Sequence, residues 1–428
     1  MKNSWDVIVV GAGAAGLYAA ATAAERGRST LLIEKNKKLG VKILMSGGTR
    51  CNITQNTTWQ GIAEAFGKRQ GRFLKFALAT LPPEQIVTVF NDAGVATKVE
   101  STGKIFPQSD KAIDVRNTLV ERARNAGVEI LNETSVTNIE RLKSGMQVST
   151  DQHRLLCESL ILTTGGQSYP GCGTTGDGYG WLTALGHSVV APRPALTPIR
   201  VTDQWARDLA GVTIPKVGVR VRLHDSAKKP GKERAAYEDS FLFTHKGCSG
   251  PSVLNISRVI TDPLNNVQKS LVCDWLPELN EEALRAELTS DRTRSSGKQV
   301  GNFLAGRIGG HDGQPLPQPL PKRLVTSICQ QADLPLDKPM AELGRRQLAK
   351  IVEQVKRCEL QVSGTLGFEK AEVTAGGVQL PEVDNKTMAS KLVPGLFLAG
   401  EILDVDGPIG GYNFQSAFST GFVAGSNA

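Results

Sequence analysis

The chain has 428 residues, enough for two or three domains, and its 40% hydrophobic content is that of an ordinary globular protein. Lys plus Arg number 50 against 42 Asp plus Glu, a net charge of +8, which admits a nucleic-acid or other anionic partner and equally a solvated surface with spare lysines. Seven scattered cysteines with no C-x-x-C pair and five dispersed histidines exclude a disulfide framework or a metal motif on spacing, and point to reduced thiols in a cytoplasmic protein.

The first stretch, "VIVVGAGAAGLYAAATAA" at residues 7–24, carries no charged side chain. It can be read as a signal peptide, a membrane anchor or a nucleotide-binding turn. Asp6 cancels Lys2 ahead of it, three glycines interrupt it, and its second half is mostly alanine, which contributes little to membrane insertion. The third reading accounts for the order of residues. "DVIVV" predicts a strand over Asp6–Val10, "GAGAAG" fits G-x-G-x-x-G, a helix is expected from Leu17 to about Arg26, and Gly27 closes it. "STLLIE" is a second strand ending in Glu34, about 20 residues on. Gly11 permits the tight turn, Gly13 lets backbone approach a pyrophosphate, and Gly16 brings helix and strand together. The helix N-terminus offers N–H groups to phosphates, while Glu34 can accept hydrogen bonds from a ribose diol. No other window approaches a membrane span.

A glycine-rich loop follows Glu34, then helices around Gly71–Leu81 and Pro83–Ala93 and an amphipathic helix in "DVRNTLVERARNAG". "VEILNETSVTNIERL" reads as two strands around a turn, and "CESLILTTGG" as a buried strand meeting a glycine turn. After about Ala191 alternating strands appear ("PALTPIRV", "KVGVRVRLHD", "SFLFTH", "SLVCDWL"), as in an antiparallel sheet or barrel. Helical patterns dominate from Glu278 to Arg357, split by "GHDGQPLPQPLP", an expected exposed linker. The α/β character then returns. The expected fold is therefore α/β, with a Rossmann-like domain built from both chain ends (1–190 with 365–428), an inserted antiparallel barrel (191–277 with 358–364) and a helical subdomain (278–357).

Near the C-terminus "GLFLAGE" ends in Gly400 and Glu401, a carboxylate placed to bind the ribityl hydroxyls of FAD. "GPIGGYNFQSAFSTG" puts Gly410 and Gly411 before a helix starting near Asn413, whose N–H groups can face the N1–O2 edge of a flavin. An ordinary buried strand and capped helix is the alternative.

The segments "GAGAAG", "KILMSGGTRCN", "TTGGQSYPGCGTTGDGYG", "FLFTHKGCSGPSVLNISR", "EVTAGGV" and "GEILDVDGPIGGYNFQSAFSTG" together resemble the BaiN-like (YhiN-type) family of FAD-dependent oxidoreductases. The resemblance spans nearly the whole chain. It implies a FAD-binding domain, an inserted β-barrel and a small helical subdomain, with FAD contacts at Gly11, Gly13, Gly16, Glu34, Ser46, Gly47, Gly48, Gly165, Gly166, Glu401, Gly411 and Asn413. The expected cofactor set further takes in Ala14, Ala15, Lys35, Lys42, Arg50, Cys51, Asn52, Val136, Thr164, Gly400, Gly410 and Tyr412. The family usually has a basic residue where Val41 stands and a third glycine where Thr49 stands.

"GCGTTG", Gly171–Gly176, also fits the dinucleotide pattern and invites a second site for NAD(P)H. Pro170 before it and the acid-free "HSVVA" after it favour a loop flanking the flavin. NAD(P)H stays an electron-donor candidate bound elsewhere. Cys51 can donate a proton beside the flavin or simply pack as a buried thiol, and His245 can act as acid, base or anion ligand or be structural. Arg346, Lys350 and Arg357 are expected on one face of a helix and, with Lys228, Lys229, Lys232, Arg234, Lys322 and Arg323, form either an RNA-binding surface or a solvated face.

The expected function is FAD-dependent hydride transfer to a C=C bond, with uridine in ribosomal RNA as the leading substrate. A small-molecule enone reductase or amine oxidase, and a non-catalytic flavin sensor, are the rivals. No membrane partner is expected, and the sequence sets no oligomeric state.

Overall fold

The computed structural model describes residues 2–224, 232–263, 267–290, 297–306 and 316–428. Lys228 and Lys229 of the basic set and residues 310–315 of the proline-rich stretch lie outside the described residues, as does the side chain of Lys232. The chain divides into two compact units, Met1–Pro194 with Phe368–Ala428, and Ala195–Gly367.

The first unit is built on a seven-stranded sheet. Ser4–Val10 is its centre, parallel to Thr30–Ile33 on one side and to Arg154–Leu162 on the other. Glu129–Leu131 extends the first side, and Leu396–Leu398 pairs in parallel with the end of Arg154–Leu162, so both chain ends build one sheet. The two strands read in "VEILNETSVTNIERL" do not pair. Glu129–Leu131 closes one edge, while Val136–Arg141 forms the other through an antiparallel meander with Met146–Thr150 and Arg154–Leu162.

The alanine-rich segment forms the helix Ala14–Glu25, buried nearly all round from Ala15 to Ala23. Its small side chains let the C-terminal helix Tyr412–Asn427 come very close. A Cβ on Gly421 would lie 2.4 Å from the Ala15 carbonyl oxygen, and one on Gly425 2.3 Å from that of Ala19. Alanine and glycine at these positions are thus a packing requirement, and the membrane readings lose their motive. Among the described residues, no helix is long and apolar enough to cross a membrane.

The second unit contains a closed six-stranded antiparallel barrel, in the order Ile199–Val201, Gly247–Ser249, Lys232–Thr244, Thr213–His224, Gln268–Asp274, Cys358–Thr365. Its interior is filled. Phe241 and Trp275 meet edge to face at 5.3 Å, and Phe243 packs 4.9 Å from Phe241. One hydrophobic core joins the barrel to the helices Glu281–Thr289, Lys322–Gln331 and Arg345–Lys356. The described end of the proline-rich stretch is not an exposed linker. Leu316 and Leu320 alternate inward and are buried in that core, and Gln318 donates to the Trp275 carbonyl at 2.8 Å. Proline-rich composition marked an irregular backbone, which here is packed.

Candidate cofactor site

The three glycines of the first turn have three separate roles. Gly11 has φ +100°, and a Cβ there would lie 2.7 Å from the Thr163 carbonyl oxygen. Gly16 faces back onto the turn, where a Cβ would fall 1.8 Å from the Gly11 oxygen. At Gly13, by contrast, a Cβ would meet no protein atom within 4 Å. That open face lies at the N-cap of the Ala14–Glu25 helix, which no side chain caps. Ala14 and Ala15 follow it, so the N–H groups of the first turn remain for a ligand.

Glu34 sits just past the Thr30–Ile33 strand and is buried. Its Oε2 accepts from the Ala12 N–H at 2.8 Å and its Oε1 from the Asn36 N–H at 2.9 Å. Each oxygen keeps a further lone pair, and the carboxylate borders a cavity that Gly11, Lys35, Val136, Thr164 and Trp181 also line. Gly173, Thr175 and Gly176 of the second glycine pattern, with Asp177 just after it, form a further wall. Lys35 ties that wall in place, its Nζ 2.6 Å from both Asp177 Oδ2 and Thr175 Oγ1. Pro170–Cys172 is a 3-10 turn and the following strand, Val189–Ala195, pairs with Val373–Val378 in a separate two-stranded sheet. "GCGTTG" therefore opens no second Rossmann unit. The Thr134, Ser135, Thr175, Asp177 and Trp181 linings were missed from sequence; only the second glycine pattern could have flagged any of them.

A third group comes from the other chain end. Gly400 has φ +78° and approaches Ala15, so that a Cβ on it would lie 2.8 Å from the Ala15 Cβ. Glu401 receives Lys42 Nζ at 2.6 Å on Oε2 and the Thr374 N–H at 2.8 Å on Oε1. Thr374 also explains Gly166, where a Cβ would lie 2.3 Å from its Oγ1, while Gly165 takes φ +73°. The Tyr412–Asn427 helix begins at Gly411, φ +88°, again with no side-chain cap. Gly410 precedes it with φ +132°, and burial pushes the Tyr412 hydroxyl up. Asn413 turns its amide inward, accepting from the Gly407 N–H at 2.8 Å and donating to the Gly407 carbonyl at 3.1 Å, so its side chain shapes the preceding loop.

The loop between these groups is strained. Gly47, Gly48, Thr49 and Cys51 all have positive φ, at 54°, 66°, 70° and 58°. Thr49 holds a left-handed backbone that favours glycine, at the cost expected for a β-branched residue. The loop is pinned from inside. Ser46 Oγ donates to the Ile43 carbonyl at 2.7 Å, and Asn52, oriented to satisfy its neighbours, accepts from the Gly411 N–H at 3.0 Å. Arg50 lies 4.0 Å over the Phe106 ring and pairs with Glu100 at 2.6 Å and Asp110 at 3.4 Å, so its charge serves the loop's own anchoring.

Cys51 is wholly buried, and burial pushes its thiol up to about 12. In this conformation it packs within the loop and presents no surface. His245 lies exposed in the turn between the Lys232–Thr244 and Gly247–Ser249 strands. The expected one-sided basic helix needs correction. It ends at Lys356, and Arg357 leaves its face with φ −143° to pair with Glu281. Lys350 pairs with Asp333, and Arg346 alone of the three is exposed on the helix without an ion pair among the described residues. Distant carboxylates neutralise charges that helical spacing alone leaves free.

The observations together test for a dinucleotide. An open cradle at Gly13, two uncapped helix starts, a buried ribose-type carboxylate and a buried Thr164 Oγ1 with no hydrogen-bond partner among the described residues all fit one. The family described as HI0933-like protein Rossmann domain matches residues 5–427. The chain belongs to the HI0933-like family. This HI0933-like protein is a FAD-dependent oxidoreductase. It is 32% identical over 422 residues to a ribosomal RNA dihydrouridine synthase of Escherichia coli, covering 98% of this chain and 96% of that one. It is 33% identical over 431 residues to a protein of the same description from Haemophilus influenzae, covering 99% and 98%. It is 29% identical over 424 residues to a 3-dehydro-bile acid delta(4,6)-reductase of Clostridium scindens, covering 98% of each.

Proposed function

We propose that this HI0933-like protein reduces the C=C bond of a uridine in ribosomal RNA to dihydrouridine, in the cytoplasm, with NAD(P)H as the electron source. The observation that carries the reading is the match of nearly the whole chain, barrel and helices included, to two relatives described as ribosomal RNA dihydrouridine synthases. Bound FAD would supply a two-electron carrier that receives hydride from NAD(P)H and delivers it to one carbon of the double bond.

The chain's own work is binding and proton delivery. Gly11, Gly13 and Gly16 with the Ala14–Glu25 helix would hold a pyrophosphate, and Glu34 would hold an adenosine ribose. Lys42 pairs with the Glu401 carboxylate, which would hold the ribityl chain, and the uncapped Tyr412–Asn427 helix would offer its N–H dipoles to a flavin. A proton must reach the second carbon of the double bond. Of the two candidates, Cys51 is enclosed and His245 is exposed on its own unit. For RNA binding on the Arg345–Lys356 helix, Arg346 is the one of the three expected basic residues left free to serve among the described residues.

Reduction of a small unsaturated carbonyl compound is the second reading, favoured by the bile acid reductase relative. The two separate in one assay. Ribosomal RNA from cells lacking the protein is incubated with the FAD-loaded enzyme and NADPH, then digested for nucleoside mass spectrometry. Dihydrouridine should appear with the wild-type protein; its absence, alongside turnover of an enone, assigns the protein to the second reading.

A further inference from the structure

Beside the Ala112–Asn125 helix lies a cavity of about 260 Å³, separate from the candidate cofactor site. It shares no lining residue with the Glu34 cavity. Lys37, Lys38, Arg116 and Arg124 line it against a single carboxylate, Glu121. None of these four cations takes part in an ion pair among the described residues. That contrasts with Arg28, Arg122, Lys350 and Arg357 elsewhere on the protein, each of which meets a carboxylate.

The cavity has a cationic rim and an apolar floor. Leu39 and Val120 are buried beneath it, and Asn117 and Asn132 place amides on its wall. Arg116 is held in place, its Nε donating to the Leu39 carbonyl at 2.9 Å and its Nη1 to Asn117 Oδ1 at 2.7 Å. Lys37, Lys38 and Arg124 are exposed at the mouth. Four like charges around a concavity concentrate positive potential and repel one another until an anion enters. The volume suits a phosphate with its attached sugar and falls below that of most drug-sized ligands.

We propose that this cavity is a phosphate-binding site that takes a backbone phosphate and sugar of the RNA strand carrying the substrate uridine. The proposal rests on the RNA reading above and deepens it. The open mouth favours a continuous strand, since three of the four cations stay accessible to a chain passing across it. A free nucleotide phosphate, such as the 2′-phosphate of NADPH, presents the same chemistry and is separated by experiment.

The test uses full-length, FAD-loaded protein with Lys37→Glu, Lys38→Glu and Arg124→Glu, singly and combined. Arg116 is left in place because it holds Leu39. A charge-matched control carries Arg141→Glu, Lys143→Glu and Arg154→Glu, three exposed positions on the meander. Loss of the one phosphate that the site holds should lower the slope of log affinity against log salt by about 0.7–0.9 in all. The triple variant should therefore bind ribosomal RNA roughly four- to fivefold more weakly near physiological salt, and form correspondingly less dihydrouridine. Its FAD content and its flavin reoxidation by a small enone should match wild type. A wild-type salt slope in the triple variant, or an equal loss in the control, overturns the site. An unchanged RNA slope with a raised KM for NADPH but not for NADH overturns RNA as the source of the phosphate. If the variant loses RNA affinity but wild type never makes dihydrouridine, the site stands and the uridine reading falls.

Discussion

Gly13→Val separates the cofactor from the fold. Gly13 has φ −79° and ψ −168°, an extended conformation open to any residue, and a Cβ there meets no protein atom within 4 Å. The apo protein can therefore accept valine, losing only the preference for a small or polar N-cap, about 1 kcal/mol at most. For a unit of this size that lowers the apo Tm by roughly 2–4 °C. The same side chain fills the space a pyrophosphate needs. At 100 times its Kd a ligand stabilises the native state by about 2.7 kcal/mol, so wild type should gain roughly 5–10 °C on FAD addition and the variant nothing. Absorbance at 450 nm against 280 nm gives FAD content, and thermal unfolding with and without FAD gives the rest. Gly16→Val is the structural counterpart. Its Cβ would fall 1.8 Å from the Gly11 oxygen, so apo stability itself should collapse. One FAD per chain in purified Gly13→Val, or an apo Tm as low as that of Gly16→Val, would refute the assignment of the open face to the cofactor.

Thr49→Gly should raise apo stability by about 0.5–1 kcal/mol, because relief of a β-branched residue at φ +70° outweighs the extra freedom of glycine in the unfolded chain; a lower Tm means the loop is unstrained. Six of the seven cysteines are buried, with Cys51, Cys157 and Cys358 thiols pushed up to about 12, so native protein at pH 8 should react with a thiol reagent at one site at most, Cys172. Persistence of that reaction in Cys172→Ser contradicts the packing. Lys356→Ala should destabilise the second unit by about 2–4 kcal/mol, since the buried ammonium serves Asp274 and the Leu276 and Leu279 carbonyls. Burial already holds the Asp274 carboxyl above its ordinary range, and without the lysine it rises further. A raised acid binds more protons folded than unfolded, so the loss should grow as pH rises above the ordinary carboxylate range; a loss independent of pH argues that Asp274 is not the partner.

The turn geometry in the first half of the candidate site was legible because it is local. Gly11, Gly13, Gly16 and Glu34 lie within one strand–helix–strand unit, and spacing carries that information. The C-terminal strand Leu396–Leu398 was legible as an apolar run ending in glycine and glutamate. What those residues meet was not. Glu401 finds Lys42 across 359 positions, Asn52 reaches Gly411, and Asn413 spends its amide on its own loop. None of these partnerships leaves a periodic trace. The same cause undid the basic helix: periodicity placed Lys350 correctly but said nothing of Asp333, and it ran Arg357 past the helix end. Proline content misread residues 316–321, because inward leucines can alternate with prolines in an irregular but packed segment.

An anaerobic single turnover decides whether the reduced protein acts on uridine in ribosomal RNA. FAD-loaded protein is reduced to completion, freed of excess reductant, and mixed with ribosomal RNA from cells lacking the protein. The flavin absorbance should return in step with dihydrouridine, one per flavin, and neither should change with RNA that already carries the modification. Reduced flavin that persists in the presence of the RNA, yet is reoxidised at once by an enone, would contradict the uridine reading.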